Sequence, residues 1–151
     1  MPPIAYLSRS VTFSAAHRLH SQRLTPEENV QVYGKCNHPN GHGHNYKGEH
    51  RDLSSNANGE EPELCVKGEI DPITGMVMNL TELKECIAAC ITEPLDHKNL
   101  DRDVAYFSER PSTIENIAVF IWDSVDQHLG SGWLHRIRLH ETDQNYVEYF
   151  G

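Results

Sequence analysis

The chain has 151 residues, of which 38% are hydrophobic, and a formal net charge of −9. This length predicts one domain over residues 1–151 with a single hydrophobic core. The negative charge argues against general nucleic-acid binding and against adhesion to anionic membranes. No stretch approaches the roughly 20 apolar residues of a membrane span or has the pattern of a signal peptide. Because none of the four cysteines belongs to a C-x-x-C pair, a reduced, cytoplasmic protein is expected.

The first part of the sequence predicts an extended segment that ends in a histidine. Apolar and polar residues alternate toward the end of residues 6–17, which predicts a strand with His17 at the end of its inward face. Residues 21–35 are polar and contain Pro26 and Gly34, so a long loop is predicted there. A loop of this length often belongs to a functional site.

Further extended segments follow a turn signal at Asn40-Gly41. Residues 48–63 are polar, rich in glycine, asparagine and serine, and without periodicity. They are interpreted as an inserted, exposed loop. A strand is predicted over residues 64–70, and the residues 71–75 that follow it are predicted to turn.

Two amphipathic helices are predicted in the middle of the sequence. The first begins after Asn79, which is a candidate N-cap, and is predicted to end at Pro94. The second is predicted to begin with Ser112 as the N-cap and Glu115 three residues later. Gly130 is expected to close the second helix.

The sequence finishes with a predicted hairpin whose strands cover residues 134–141 and 146–150. The resulting order is strand, strand, helix, helix, strand, strand (ββααββ). It predicts an α+β fold in which two helices cover one face of a four-stranded antiparallel sheet. The two open edges of such a sheet are usually protected or paired, so oligomerisation through them is expected.

Three histidines form a candidate metal site. Residues two apart in a strand point to the same face, so His42 and His44 converge, and Gly43 leaves the opposite face uncrowded. If this strand pairs with the one that ends at His17, three imidazoles meet. Three nitrogen ligands with one open position are typical of a catalytic zinc. A structural or buffering metal site would use the same residues.

Three other places could carry chemistry. Cys36 could be a fourth metal ligand, a buried structural cysteine or a reactive thiol, because nearby positive charge favours the thiolate. Asp96 could set the tautomer of His97, or both could lie in a solvated loop. Glu141 could be solvated, or it could hold an N–H–C–NH2 edge of a ligand with two parallel hydrogen bonds.

Seven segments together form a known pattern in this order and spacing: FSAAHRL (13–19), YGKCNHPNGHGHNY (33–46), GEIDP (68–72), GMVMNL (75–80), LDHKNLD (95–101), STIEN (112–116) and ETD (141–143). Over nearly its whole length, the sequence resembles the 6-pyruvoyl tetrahydropterin synthase family of the tunnelling-fold superfamily. One departure is the polar segment 48–67, where the family runs through a short apolar stretch. Metal binding is expected to tolerate this polar segment, because all three histidines precede the segment in the sequence.

The resemblance implies a zinc-dependent lyase. The family converts 7,8-dihydroneopterin triphosphate to 6-pyruvoyl-tetrahydropterin and triphosphate, on the route to tetrahydrobiopterin. The resemblance also implies a homohexamer of two stacked trimers, in which the sheets of each trimer join into one barrel. The family's functional groups fall on nine residues: the zinc ligands His17, His42 and His44, the catalytic thiol Cys36, the acid–base pair Asp96 and His97, and the pterin-binding residues Ser112, Thr113 and Glu141.

Two alternatives remain open from the sequence. The first is 6-carboxy-tetrahydropterin synthase, a member of the same superfamily that acts on the same substrate in queuosine synthesis. The Met76–Leu80 turn and the length of the segment between Cys36 and His42 favour the 6-pyruvoyl tetrahydropterin synthase family over this alternative. The second alternative is a catalytically inert zinc-binding or pterin-binding homologue.

Overall fold

The computed structural model describes residues 1–46 and 63–151, so the predicted loop over residues 48–63 lies, except for Glu63, outside the described residues. The described residues form seven strands: β1 (Ile4–Ser10), β2 (Phe13–His17), β3 (His42–Tyr46), β4 (Glu63–Glu69), β5 (Lys98–Asn99), β6 (Leu134–His140) and β7 (Tyr146–Tyr149). The helices are α1 (Pro26–Tyr33), α2 (Leu80–Ile87), α3 (Glu93–Leu95), α4 (Leu100–Asp103) and α5 (Ile114–Leu129).

The predicted four-stranded antiparallel sheet is present, with the strand order β1-β4-β6-β7. Side chains alternate between its two faces. Leu64 and Val66 of β4 point to the same side as Ile137 and Leu139 of β6, and all four are buried. Helix α5 packs against β6 and β7, and α2 packs against α5. The hydrophobic core therefore lies between this sheet and the two long helical segments.

The opposite face of the same sheet carries paired charges. Arg136 Nη2 lies 3.0 Å from Glu63 Oε2, and Arg138 Nη2 lies 3.2 Å from Glu148 Oε1. These side chains belong to three adjacent strands, so the ion pairs cross the sheet rather than follow one strand. The alternation of apolar and charged residues thus matches the two faces of the sheet.

A second, three-stranded sheet was not predicted. Its order is β3-β2-β5, with β2 antiparallel to β3 and parallel to β5. The predicted single strand over residues 6–17 is wrong, because the backbone passes from one sheet to the other between Ser10 and Phe13. The predicted order ββααββ is therefore incomplete. The alternation of side chains continues across the break, so the pattern did not reveal the change of hydrogen-bonding partner.

The predicted loop over residues 21–35 is also wrong in part, because it contains α1. Thr25 Oγ1 accepts the N–H of Glu28, and the Glu28 carboxylate accepts the N–H of Thr25, which is a capping box. Pro26 follows at the first helical position. Asn29 is the only buried residue of this helix. The capping pattern was visible in the sequence, but no apolar stripe accompanied it.

The first of the two predicted helices begins as expected and ends one residue beyond the predicted end at Pro94. The Asn79 side chain accepts the N–H of Thr81 at the start of α2. Helical structure then continues through a π turn, Ala88–Thr92, into α3 and ends at Leu95. Pro94 thus lies within the last turn, one residue before the end of the helix. The π turn directly precedes it, and there the Glu93 N–H donates to the Ala88 carbonyl, five residues back.

The second predicted helix is confirmed with a shift of one residue. Thr113, not Ser112, is the N-cap of α5, because its side chain accepts the N–H of Asn116. Gly130 closes the helix with a φ of 90°, a conformation that favours glycine. The Ser112 side chain is left for a contact outside the helix. None of the described helices is both long enough and apolar enough to cross a membrane.

The core predicts different effects for two isoleucines. Ile117 of α5 is fully buried, whereas Ile73 is 92% exposed. We expect Ile117→Ala to lower the free energy of unfolding by about 2–5 kcal/mol, because it removes buried methyl groups and leaves a cavity. Ile73→Ala should change it by less than about 0.5 kcal/mol. Urea denaturation measures both. Equal losses for the two variants would contradict the described core.

Candidate active site

The pairing of β2 with β3 brings the three predicted histidines together. His17 is opposite His42, and Ala15 is opposite His44, so all three imidazoles lie on one face of the second sheet. One ligand atom from each ring lies within 4.8 Å of the others. The Nε2 atoms of His17 and His42 are 3.1 Å apart. The predicted convergence of the three rings is therefore confirmed, and the cluster could hold a metal ion.

Gly41 allows the two strands to approach at this point. Its φ is +70°, and a Cβ added there would lie 2.8 Å from the carbonyl oxygen of His17. A side chain at this position would therefore collide with the backbone of the opposite strand. The turn predicted at Asn40-Gly41 thus has a second consequence, because it lets His42 approach His17.

The His17 ring is fixed in the orientation that a metal ligand requires. The side chain is fully buried, and its Nδ1 lies 2.7 Å from the carbonyl oxygen of Ser112. A carbonyl can only accept, so Nδ1 carries the proton and Nε2 keeps its lone pair toward the cluster. Burial, with smaller contributions from the neighbouring His42 and His44, lowers the pKa of His17 to about 4, although the hydrogen bond to Ser112 opposes this shift. The neutral imidazole is the form that binds metal ions.

Glu141 lies beside the histidine cluster. Its Oε1 is 3.8 Å from Nε2 of His17 and 3.6 Å from Nε2 of His44. These separations exceed hydrogen-bond length, so the Glu141 carboxylate acts on the two imidazole rings electrostatically and not through hydrogen bonds. Burial lowers the pKa of His44, and the Glu141 charge opposes this effect. The half-buried carboxylate is thus part of the site. Three imidazole nitrogens with an adjacent carboxylate fit a divalent cation such as zinc.

Cys36 lies in a short 3₁₀ turn, Gly34–Asn37, that is bonded to the segment after His17. The N–H of Leu19 donates to the Cys36 carbonyl at 2.9 Å, and Arg18 Nε donates to the Asn37 carbonyl at 2.8 Å. The thiol is half-buried and not in a disulfide. Cys36 is not among the grouped ligand atoms in the described part of the protein. The structure therefore does not support its interpretation as a fourth metal ligand.

Asp96 and His97 form a pair at a different place. Asp96 Oδ2 lies 2.9 Å from His97 Nδ1, and Asp96 Oδ1 accepts the N–H of Ser14 at 2.9 Å. This backbone hydrogen bond, helped by His97, lowers the pKa of Asp96. The His97 side chain is 83% exposed, and its φ of 59° is unusual for a residue other than glycine. The two residues thus form an ordered pair instead of a loosely solvated loop.

The Asp96–His97 pair lies on the β5 side of β2, whereas the histidine cluster spans β2 and β3. Among the described residues, no hydrogen bond, ion pair or ring contact joins this pair to the cluster, to Cys36 or to Glu141. The structure thus brings together five of the nine predicted residues, including Ser112 through its carbonyl: His17, His42, His44, Ser112 and Glu141. Thr113 is adjacent to Ser112 as the cap of α5.

Two residues that the sequence analysis did not identify contribute to this region. Asp101 accepts the Ser112 Oγ–H and the Arg18 N–H, both at 2.6 Å. Tyr46 is fully buried, stacks on Phe13, and has its ring centroid 5.7 Å from that of His44. The alternation in β3 could have identified Tyr46. Asp101 was hidden because its partners are distant in the sequence.

The family model described as 6-pyruvoyl tetrahydropterin synthase matches residues 6–151 of the protein. The chain belongs to this family. It is 55% identical over 148 residues to the 6-pyruvoyl tetrahydrobiopterin synthase of Poecilia reticulata, covering 98% of this chain and 91% of that protein. It is 50% identical over 147 residues to the human enzyme of the same name, covering 97% and 92% of the two proteins.

A solved structure of the Caenorhabditis elegans 6-pyruvoyl tetrahydropterin synthase has the same fold. It is 36% identical in sequence, superposes with a TM-score of 0.87, and the match covers 99% of this chain and 97% of that one. The resemblance inferred from the sequence motifs is therefore confirmed. The α+β class and the antiparallel sheet are confirmed with it.

The histidine cluster predicts metal binding that depends on each ring. We expect single alanine substitutions at His17, His42 and His44 to reduce bound zinc well below about one ion per chain, because two imidazoles hold zinc poorly. His128→Ala on the exposed side of α5 is the matched control and should leave the zinc content unchanged. Elemental analysis after gel filtration measures the stoichiometry. Unchanged zinc in all three cluster variants would contradict this site.

Proposed function

We propose that this protein is a zinc-dependent lyase that converts 7,8-dihydroneopterin triphosphate to 6-pyruvoyl-tetrahydropterin and triphosphate in tetrahydrobiopterin synthesis. The observation that carries the proposal is the histidine cluster with Glu141 beside it, in a sequence about half identical to named synthases. We further propose that residues 1–151 act as one domain, with residues 48–63 as an insertion. The match of a single family model to residues 6–151 supports this organisation.

His17, His42 and His44 would hold the zinc ion, and the Ser112 carbonyl would keep the His17 ring in place. Bound zinc supplies Lewis-acid stabilisation of negative charge that develops on oxygen. The lowered pKa of His17 supports the assignment, because this ring needs no deprotonation before it can act as a ligand near neutral pH.

Glu141 would bind the pterin ring. Its carboxylate can accept two parallel hydrogen bonds from the N–H–C–NH2 edge of a pterin. Because Glu141 lies within 4 Å of two of the histidines, a ring held there would have its substituent at the histidine cluster. Ser112 and Thr113 would contribute to the same pocket. The Ser112 hydroxyl and carbonyl are already bonded to Asp101 and His17, so its contribution would come from its backbone N–H.

Cys36 and His97 would move the protons. As a thiolate, Cys36 would take a proton from a C–H group in the three-carbon substituent of the pterin. His97, held by Asp96, would supply or relay a proton, and triphosphate would leave with the electrons of the C–O bond. These steps redistribute hydrogen within the substrate and need no external reductant.

We also propose that Asp96 and His97 serve the site of a neighbouring subunit in a homohexamer of two stacked trimers. The support is their position on the β5 side of the second sheet and the high exposure of His97. In such an assembly the open edges of the larger sheet, β1 and β7, would pair with neighbouring subunits and close a barrel.

The direct test is a product assay. Zinc-loaded protein is incubated with 7,8-dihydroneopterin triphosphate, with and without a chelator, and both triphosphate and the pterin product are analysed by mass spectrometry. We expect triphosphate release and a pyruvoyl product that the chelator abolishes. A carboxyl substituent would instead identify a 6-carboxy-tetrahydropterin synthase. If zinc-loaded protein releases no triphosphate, the proposed reaction is wrong.

A mixing experiment tests whether sites are shared between subunits. We expect Cys36→Ala and His97→Ala each to lower kcat at least about 100-fold, because each removes a proton-transfer group. If each site takes these two residues from different subunits, hexamers reassembled from both variants will contain some intact sites and regain activity. If each site belongs to one subunit, every site keeps a defect and activity stays low. Zinc content, which should not change, is the control.

A further inference from the structure

We propose that Asp101 is a positioning residue that holds the metal ligand His17 from two sides. The inference rests on the proposed function only through the metal site, because it concerns the geometry of a ligand and not the reaction. It follows from three short hydrogen bonds that connect Asp101, Ser112, His17 and Arg18.

The first side is the backbone. Asp101 Oδ2 accepts the N–H of Arg18 at 2.6 Å, and Arg18 directly follows His17 at the end of β2. Beyond this point the backbone leaves the second sheet, so a hydrogen bond here fixes where the His17 main chain ends its strand. A hydrogen bond to an ionised carboxylate is shorter and stronger than one between neutral groups.

The second side is the imidazole ring. Asp101 Oδ1 accepts the Ser112 Oγ–H at 2.6 Å, and the Ser112 carbonyl accepts the His17 Nδ1–H at 2.7 Å. Ser112 is fully buried, so its hydroxyl and carbonyl have little access to water as a substitute partner. The serine thus transmits the position of the carboxylate to the ring nitrogen that sets the tautomer.

A carboxylate suits this position because it only accepts hydrogen bonds and has two oxygens for two donors. Asp101 lies in α4, where the Asn99 side chain accepts the N–H groups of Asp101 and Arg102 at 3.2 Å. These bonds fix the backbone that carries the carboxylate. An asparagine of nearly the same shape would present one donor group to this site and lose the negative charge.

The hydrogen bonds that start at Asp101 also connect to residues other than the metal ligand. Arg18 Nε donates to the carbonyl of Asn37, and the next residue, Leu19, donates its N–H to the carbonyl of Cys36. Asp101 therefore contacts the segment to which the turn with the proposed catalytic thiol is bonded. On its other side it contacts Ser112, next to the cap of α5. The Asp101 carboxylate thus links the metal ligand, the turn that contains Cys36 and the proposed pterin-binding segment.

The experiment compares Asp101→Asn with Asp103→Asn. Asp103 is a matched control, because it lies in the same helix and its carboxylate also accepts a backbone N–H, that of Asn99 at 2.8 Å. The zinc dissociation constant is measured by competition with a chromophoric chelator. Separately, ¹⁵N NMR of the metal-free protein reports the tautomer of His17. We expect Asp101→Asn to raise the zinc dissociation constant about 10–100-fold and to shift the His17 nitrogen resonances. Asp103→Asn should change neither.

Ser112→Ala provides a second route to the same result. It removes the hydroxyl that bonds Asp101 but keeps the carbonyl that bonds His17. We expect it to raise the zinc dissociation constant as well, and the double variant with Asp101→Asn to be less affected than the sum of the single changes predicts. If Asp101→Asn and Ser112→Ala both bind zinc as the unaltered protein does, with unchanged His17 resonances, Asp101 is not a positioning residue.

Both measurements are made without substrate, so they separate this proposal from the proposed reaction. A protein that forms no pyruvoyl product but shows the expected shifts would refute the reaction and retain the role of Asp101. An active synthase in which Asp101→Asn leaves zinc binding and the His17 resonances unchanged would refute the role of Asp101 and retain the reaction. A loss of folding in Asp101→Asn, detected by circular dichroism, would also contradict a role limited to positioning.

Discussion

The register between β2 and β3 is the constraint on which the rest of the site depends. It sets His17 opposite His42 and places His44 on the same face. A shift of one residue would turn the β3 histidines toward the other face of the sheet. The glycine at position 41 permits the close approach, and the buried Ser112 carbonyl then fixes the first ring. Strand pairing therefore determines the ligand geometry before any metal binds.

The residues that the sequence predicted well are those whose positions depend on local periodicity. His42 and His44 share a face because they are two apart in a strand, and α5 is visible from its apolar stripe and its closing glycine. The second sheet was missed because alternation says nothing about which strand supplies the hydrogen-bonding partner. Asp101 was missed because its contacts lie 83 residues away at Arg18 and 11 away at Ser112.

The proposed catalytic groups differ in how the fold holds them. The histidine cluster is supported by buried contacts, and its central ring is completely enclosed. Cys36 is held through its backbone, while its side chain remains half-buried. His97 Nδ1 contacts its carboxylate partner Asp96, and the His97 backbone N–H donates to the Ser14 carbonyl. Burial thus falls from His17 to the 83% exposed side chain of His97, which suits a proposed proton donor that would meet its substrate across an interface.

The left-handed backbone at His97 sets local backbone stability against the proposed role of its side chain. A non-glycine residue in this region costs on the order of 1 kcal/mol or more, and glycine would avoid most of that cost. Glycine would also remove the only ionisable side chain that Asp96 orients in the described structure. Replacing His97 by glycine would therefore relieve backbone strain at the expense of the proposed proton donor.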